Sequence, residues 1–428
     1  MADPRRERSD TAPSDAPARA LVLVAALLGW MMAGTVMVIV PLAGRAALRS
    51  LGITDEAQTG KWFSWFICAF LLGAASGGLL FGWLGDRLGR VRAMGLSILC
   101  YALLTGMTYF VTTPEQFLVL RFLACLGVGG IWPNGVALVS EVWPDVSRPM
   151  LSGLIGAAAN VGFMILSGMA MIIDITPQQW RWVLLTGFAA VPLALVVLVV
   201  VPESPRWLAG RTNRAKRNSW PVVEIFSPPI LKYTLIGIGL GAVPLMGNWG
   251  SANWVVPWSG RVGDLDNPAL KAWAQWCKSG GGTLGALMGG WAARLMGRRT
   301  TYFVISGTSL LMSLYIFTYL QPGDPSFLYW VFGIGFFGTL YFGWLPLYLP
   351  ELFPTHVRST GAGISFNWGR VATAVGVLGT GHLMLVFNGD YARVGRFTCL
   401  IFFLGMIIIL VAPDTSQKHV GARPPSAT

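Results

Sequence analysis

Glu141-Val-Trp-Pro-Asp-Val-Ser-Arg148 and Glu351-Leu-Phe-Pro-Thr-His-Val-Arg358 share one E-x-x-P-x-x-x-R spacing, 210 residues apart (351 − 141). Working outward from this pair, Gly82-Trp-Leu-Gly-Asp-Arg-Leu-Gly-Arg90 is answered by Gly290-Trp-Ala-Ala-Arg-Leu-Met-Gly-Arg298 at an offset of 208 (290 − 82). Pro202-Glu203-Ser204 is answered by Pro413-Asp414-Thr415 at 211 (413 − 202). Three matches in the same order at nearly one offset make the chain an internal duplication. Each match closes or opens a long apolar run, so the duplicated unit is a set of helices whose polar ends carry the motifs.

The runs themselves are too apolar for a soluble protein. Of 428 residues, 54% are hydrophobic and only 12% charged, and the mean hydropathy is +0.59; soluble chains carry about a quarter charged residues. Spans of roughly 20 residues, the length a bilayer requires, are predicted near 20–41, 61–84, 93–112, 115–140, 150–174, 182–201, 231–257, 269–292, 301–320, 326–349, 360–386 and 396–412. The expected fold is an all-α membrane protein with twelve transmembrane helices in two pseudo-symmetric six-helix halves. It divides into a tail 1–19, a bundle 20–201, a linker 202–229, a bundle 230–412 and a tail 413–428.

The net charge of +12 would suggest nucleic-acid binding in a soluble chain, but the basic residues follow the spans. With both termini on one side, twenty of the 31 Lys and Arg fall on that side and eight on the other, leaving Arg121, Lys278 and Arg370 inside spans. The positive-inside rule then places both termini in the cytoplasm, consistent with an inner-membrane protein. The first 19 residues are polar and lack a cleavable apolar segment, which predicts a disordered cytoplasmic tail. All five cysteines lie in apolar runs without metal-ligand spacing, and no phosphate-binding loop or Ser/His/Asp set is present. No enzyme activity, cofactor, metal or nucleic-acid partner is expected; the partners are lipid and a small solute, and the chain is expected to act as a monomer.

Gly82 to Arg90 resembles the loop 2-3 signature of the major facilitator superfamily, with Val91 where that signature usually carries Arg or Lys. Pro202-Glu203-Ser204-Pro205-Arg206-Trp207-Leu208 resembles the PESPRWL signature of its sugar-porter and organic-ion branches. The resemblance implies secondary transport by alternating access between two halves. Acids and arginines at the cytoplasmic helix ends, namely Asp86, Arg90, Glu141, Arg148, Glu203, Arg298, Glu351 and Arg358, are expected to form a charge latch that pairs across the halves when the inner side is shut.

Two cations sit near mid-membrane: Lys278 about nine residues into the eighth span and Arg370 about ten into the eleventh. A charge there costs at least ~2.5–3.5 kcal/mol, so each is expected to face a wet cavity. Gln275 and Asn367, each three residues earlier, share their helix faces. The acids in or near spans, Glu115, Glu141, Asp174, Glu351 and Asp390, all map to helix ends. Two central cations without a central carboxylate suggest that the solute is itself an anion, a small organic carboxylate. Organic-anion members of the resembled branch also carry Lys in the eighth helix and Arg in the eleventh.

The first span, where proton-coupled relatives commonly carry an Asp, reads Gly29 to Val38 with no ionisable group. That leaves efflux, anion exchange, or movement of the solute with its own proton; His382 is a candidate proton site against a packing role. Trp249 and Asn253 share a face of the seventh span beside the breakers Gly247, Gly250 and Pro257, and Tyr341, Asn160 and Trp368 complete the candidate pocket. Arg121 either orients the solute or braces its bundle. The seventh span lacks the glutamines that hexose carriers of the branch use, which makes a sugar or other neutral or cationic metabolite the alternative solute. A transport-dead sensor or scaffold is the second alternative.

Overall fold

The structure is a computed structural model that describes residues 16–143, 148–210, 221–263, 267–354 and 357–415. The greater parts of the predicted tails, the middle of the predicted linker and the side chain of Arg148 lie outside the described residues.

Every described element is helical. Among the described residues, eleven helices are both long and apolar enough to cross a membrane. They are Ala16–Ser50, Glu56–Leu88, Arg90–Phe110, Pro114–Val142, Gly153–Ile172, Trp182–Val200, Pro228–Gly263, Arg298–Tyr319, Phe327–Glu351, Thr360–Val386 and Tyr391–Val411. The eighth span of the sequence reading, Leu270–Leu295, has 26 residues and ample length at about 1.5 Å each. Its composition is the reason it stands apart: Gln275, Lys278, Ser279 and Thr283 follow one another on a glycine-rich helix. Several helices outrun their predicted limits by a turn or more, the first by four residues at one end and nine at the other. Hydropathy marks the apolar core of a span, whereas the helix continues into the polar boundary.

The duplication is visible in the packing. The second helix packs on the fourth, and their counterparts, the eighth and tenth, pack on each other. The latter pair meets backbone to backbone, because Gly281, Gly285 and Gly289 leave no room for a Cβ against the carbonyls of Phe332, Phe336 and Leu340. The halves join along two related seams, second helix to eleventh and fifth to eighth. Gly89 and Gly297, the corresponding glycines of the repeated motifs, both take positive φ, 113° and 81°, where the chain turns from one span into the next. A side chain at Gly89 would also collide with Glu203, whose carboxylate accepts from the backbone N–H of Arg90 at 2.9 Å and of Val91 at 3.2 Å. The carboxylate therefore caps the third helix at its positive end.

The seventh span is broken. It runs as α-helix over Pro228–Met246, widens to a π-turn at Gly247–Ser251, tightens to 3-10 at Ala252–Trp254 and resumes as α-helix over Val255–Gly263. Pro257 has no N–H for the carbonyl of Asn253 four residues earlier, and Gly247 and Gly250 ease the change of winding. Trp254 Nε1 donates to the Gly250 carbonyl at 3.0 Å, returning one bond that the break removes.

Candidate functional site

The seams enclose a central cavity of about 140 Å³. From the N-terminal half its wall takes Trp30, Met37, Phe70, Trp132 and Phe163 among others, with Asn160 the single amide or charged side chain of that wall. From the C-terminal half come Asn248, Trp249, Asn253, Gln275, Lys278, Ser279, Thr339, Phe366 and Arg370. Asn248, Trp249 and Asn253 of the broken stretch all line the cavity.

Lys278 Nζ donates to Asn253 Oδ1 at 2.8 Å. Arg370, only 9% exposed, donates to the Ala74 carbonyl and to Asn367 Oδ1, both at 3.2 Å, and lies over the Phe366 ring with its guanidinium carbon 4.9 Å from the centroid. These oxygens and the ring are neutral, so they solvate the two cations without cancelling their charge. Gln275 Nε2 donates to Ser279 Oγ at 2.8 Å. Asn253 Nδ2 and Gln275 Oε1 are buried without a hydrogen-bond partner. A buried amide atom left open in this way costs about 1–3 kcal/mol unless something in the cavity completes it. Opposite, the Trp249 ring sits 4.6 Å from Phe70 and 6.4 Å from Phe163, so aromatic contacts cross the interface between the halves.

Seven sequence candidates thus meet in one place: Lys278, Arg370, Gln275, Trp249, Asn253 and Asn160 on the wall, and Asn367 behind Arg370. Three do not. Tyr341 is fully buried within the C-terminal bundle, its hydroxyl 2.8 Å from Ser306 Oγ and its ring against Tyr302. Trp368 is 50% exposed on the outside of the eleventh helix, because it lies two residues, about 200°, round from Arg370. His382 is exposed and off the cavity wall. The sequence reading missed Asn248 and the aromatic wall of Trp30, Phe70, Trp132 and Phe163. For Trp30 and Trp132 a signal existed, since both lie well inside their spans and not at the ends where tryptophan anchors to the interface.

Arg121 braces its own bundle. It is 4% exposed, donates to the carbonyls of Val36 at 2.6 Å and Met37 at 3.0 Å, and lies 5.7 Å from the Phe70 ring centroid. Met37 is four residues before Pro41, whose ring nitrogen has no hydrogen to offer its carbonyl. Arg121 supplies that missing donor, and Met37, Pro41 and Phe70 all line the cavity.

At the Arg-rich end the pairs seen among the described residues close within each half; the pairing across the halves that the sequence reading reserves for a shut inner side is not among them. Arg90 bridges Asp86 at 2.8 Å and approaches Glu141 at 3.8 Å, while Ser204 Oγ donates to Glu141. Arg298 bridges Glu351 at 3.0 Å, while Thr415 Oγ1 donates to Glu351. The two triads are duplicates, residue for residue, because acid, arginine and hydroxyl each end a helix of the same bundle. Trp207 of the PESPRWL stretch completes the first by donating Nε1 to the Asp86 carbonyl at 3.0 Å. Arg358 turns its Nε toward the Phe353 carbonyl of its own loop at 3.5 Å. Polar bridges between the halves occur instead at the opposite end. There Arg45, paired with Glu56 of its own half at 2.6 Å, donates across to the Gly260 carbonyl at 3.2 Å, Tyr391 donates to Glu56 at 3.1 Å, and Lys271 donates to the Ile175 carbonyl at 2.8 Å.

Residues 20–377 match the Major Facilitator Superfamily. The chain is 29% identical over 325 residues to the cis,cis-muconate transport protein of Acinetobacter baylyi, covering 73% of this chain and 76% of that protein. It is 27% identical over 354 residues to organic anion transporter 3 of Oryctolagus cuniculus, covering 72% of this chain and 62% of that protein. The solved nucleoside transporter NupG superposes with a TM-score of 0.67 at 14% identity, over 92% of this chain and all (100%) of that one; so low an identity speaks for the fold alone. The expected twelve-helix fold and the resemblance read from the motifs both stand, and the chain, a transporter and not an enzyme, belongs to the major facilitator superfamily.

Proposed function

We propose that this protein carries a small organic carboxylate across the inner membrane by alternating access, as a monomer with its Arg-rich end and both termini in the cytoplasm. The observation that carries the reading is the pair Lys278 and Arg370, two cations in one central cavity whose partners among the described residues are all neutral. A carboxylate between them would supply the missing charge, and Asn253 Nδ2 would supply a further donor. The aromatic wall opposite suits a flat, conjugated or ring-bearing body more than a hydroxylated one. Muconate and 4-methylmuconolactone, named for two relatives, and niacin, named for another, fit that description as carboxylates or their lactone. The duplicated Arg–Glu–hydroxyl triads hold each bundle rigid while the bundles rock, and the bridges at the opposite end act as the outer gate.

The test is a thermal-shift titration of the purified protein with cis,cis-muconate, nicotinate, glucose and a nucleoside. A ligand at 100 times its Kd stabilises the folded state by about 2.7 kcal/mol. The expected result is a shift with a carboxylate that is lost in Lys278→Gln and Arg370→Gln. A shift with glucose and none with either carboxylate would return the sugar reading to first place.

A further inference from the structure

We infer that the two cavity cations have different tasks. Lys278 only binds the solute, whereas Arg370 is also a positioning residue that ties the bound solute to the N-terminal half. An anion in the cavity thereby holds shut the seam between the second and eleventh helices. This rests on the anion reading above and adds how occupancy is passed from the cavity to the interface.

The two side chains differ in what they hold. Lys278 Nζ donates to Asn253, which belongs to its own half. Arg370 Nη1 donates to Asn367 of its own helix and, across the interface, to the Ala74 carbonyl of the second helix, each at 3.2 Å. Ala74 belongs to the other bundle and moves with it when the halves rock. Glycines make room for the contact. A Cβ at Gly129 of the fourth helix would lie 2.0 Å from the same Ala74 oxygen, and one at Gly78 would lie 3.2 Å from Asn367 Oδ1. From this point the seam runs toward the end opposite the Arg-rich one, with Ser64 Oγ 3.4 Å from Thr380 Oγ1 and Gly60 against Met384.

Both hydrogens of Arg370 Nη1 are thus committed. Nη2 and Nε meet no acceptor among the described residues, and the Phe366 ring, 4.9 Å from the guanidinium carbon, supports the group from one face. A carboxylate takes the open edge through two parallel bonds, as a planar guanidinium allows, and leaves the Ala74 bond in place. The orientation that serves the solute is then the one that serves the seam. Each stabilises the other, and by reciprocity the anion binds more tightly when the seam is closed. A lysine at this position would keep the charge and lose the fork. An arginine in place of Lys278 alters no group that touches the N-terminal half.

The test uses the full chain in detergent with cis,cis-muconate as the probe, at about ten times each variant's own Kd. Thermal shift establishes binding, and hydrogen exchange of peptides spanning 56–66 and 380–390 reads the seam. In the wild type, muconate should slow exchange in both peptides by about fivefold or more. Lys278→Arg should keep this slowing, and Arg370→Lys should bind muconate with the slowing lost. Gly78→Ala lies off the cavity wall and changes no charge, but its methyl presses on Asn367; it should weaken muconate affinity by about fivefold or more. Equal slowing in the wild type and Arg370→Lys would overturn the inference, as would loss of slowing in Lys278→Arg. So would a wild-type thermal shift without slowing, or an unchanged affinity in Gly78→Ala. If Arg370→Lys binds nothing, the affinity of Gly78→Ala decides alone. If nicotinate is the anion selected by thermal shift, the same variants apply with nicotinate. No thermal shift by either anion in the wild type would remove the anion reading and this inference with it.

Discussion

The two halves of this molecule are copies at their Arg-rich ends and strangers at the cavity. At the ends, Arg90, Glu141 and Ser204 repeat as Arg298, Glu351 and Thr415, the arginine 3.8 Å from its glutamate in the first half and 3.0 Å in the second, with a hydroxyl donating to each glutamate. At the cavity, the N-terminal half presents aromatic rings and one amide, while the C-terminal half presents both cations and most of the polar groups. The difference separates two physical demands. Rocking two bundles needs matched, rigid ends, so the motifs that clamp helix termini are kept in duplicate. On the proposed function, an asymmetric solute needs one wall for its charge and another for its body, and the duplication ends there.

The largest effect is expected from breaking the charged wall. Lys278→Gln and Arg370→Gln should each weaken carboxylate binding by about 2–5 kcal/mol, a factor of roughly 30 to several thousand. Neither should lower the melting temperature of the solute-free protein, because each substitution removes a charge that the empty fold holds without a counter-charge. Isothermal titration and unliganded melting separate the two quantities. A fall in stability with unchanged affinity would make these cations structural, and the asymmetry of the walls would lose its functional meaning.

How much of this was legible beforehand depended on whether a residue's role is local. The triad residues are set by helix ends, which sequence marks with Gly, Pro and charge, and their duplication was readable from spacing alone. Lys278 and Arg370 were legible because a mid-span charge is expensive anywhere in a bilayer. Partnership was not legible. Glu141 meets Arg90 and Ser204 of its own half only because four helix ends converge, and spacing along the chain says nothing of which bundle an arginine leans toward. Trp368 shows the same limit at shorter range: one helix carries it out to the surroundings and Arg370 inward, and hydropathy gives both faces similar weight.

A smaller effect is expected on the aromatic wall. Phe163 meets Trp249 across the interface with ring centroids 6.4 Å apart. Phe163→Leu keeps the apolar character but removes the flat face, a loss of about 0.5–1.5 kcal/mol for a ligand that stacks there. The sharpest readout compares cis,cis-muconate with adipate, which has the same six carbons and two carboxylates but no conjugated plane. Affinity for muconate should fall roughly two- to twelvefold, with adipate nearly unchanged. Equal losses for both would mean that the wall only excludes water and contributes no shape selection.

The most indirect effect tests how the apolar wall is held in place. Arg121 donates to the Met37 carbonyl, which Pro41 leaves without its helical partner, and both Met37 and Pro41 line the cavity. Arg121→Gln should therefore strand a buried carbonyl and loosen the wall, raising KM more than it lowers kcat, at a cost of about 1–3 kcal/mol. Pro41→Ala restores an N–H at the position where the helix lacks one, so in that background the Met37 carbonyl no longer depends on the arginine. The two substitutions should then be non-additive, with a coupling energy of about 1 kcal/mol in a double-mutant cycle on stability. The same cycle should appear in KM for muconate, which a purely structural brace remote from the cavity would not produce. If the effects add within a few tenths of a kcal/mol, Arg121 acts through Val36 or Phe70 instead, and the proline and the arginine are separate features of the first and fourth helices.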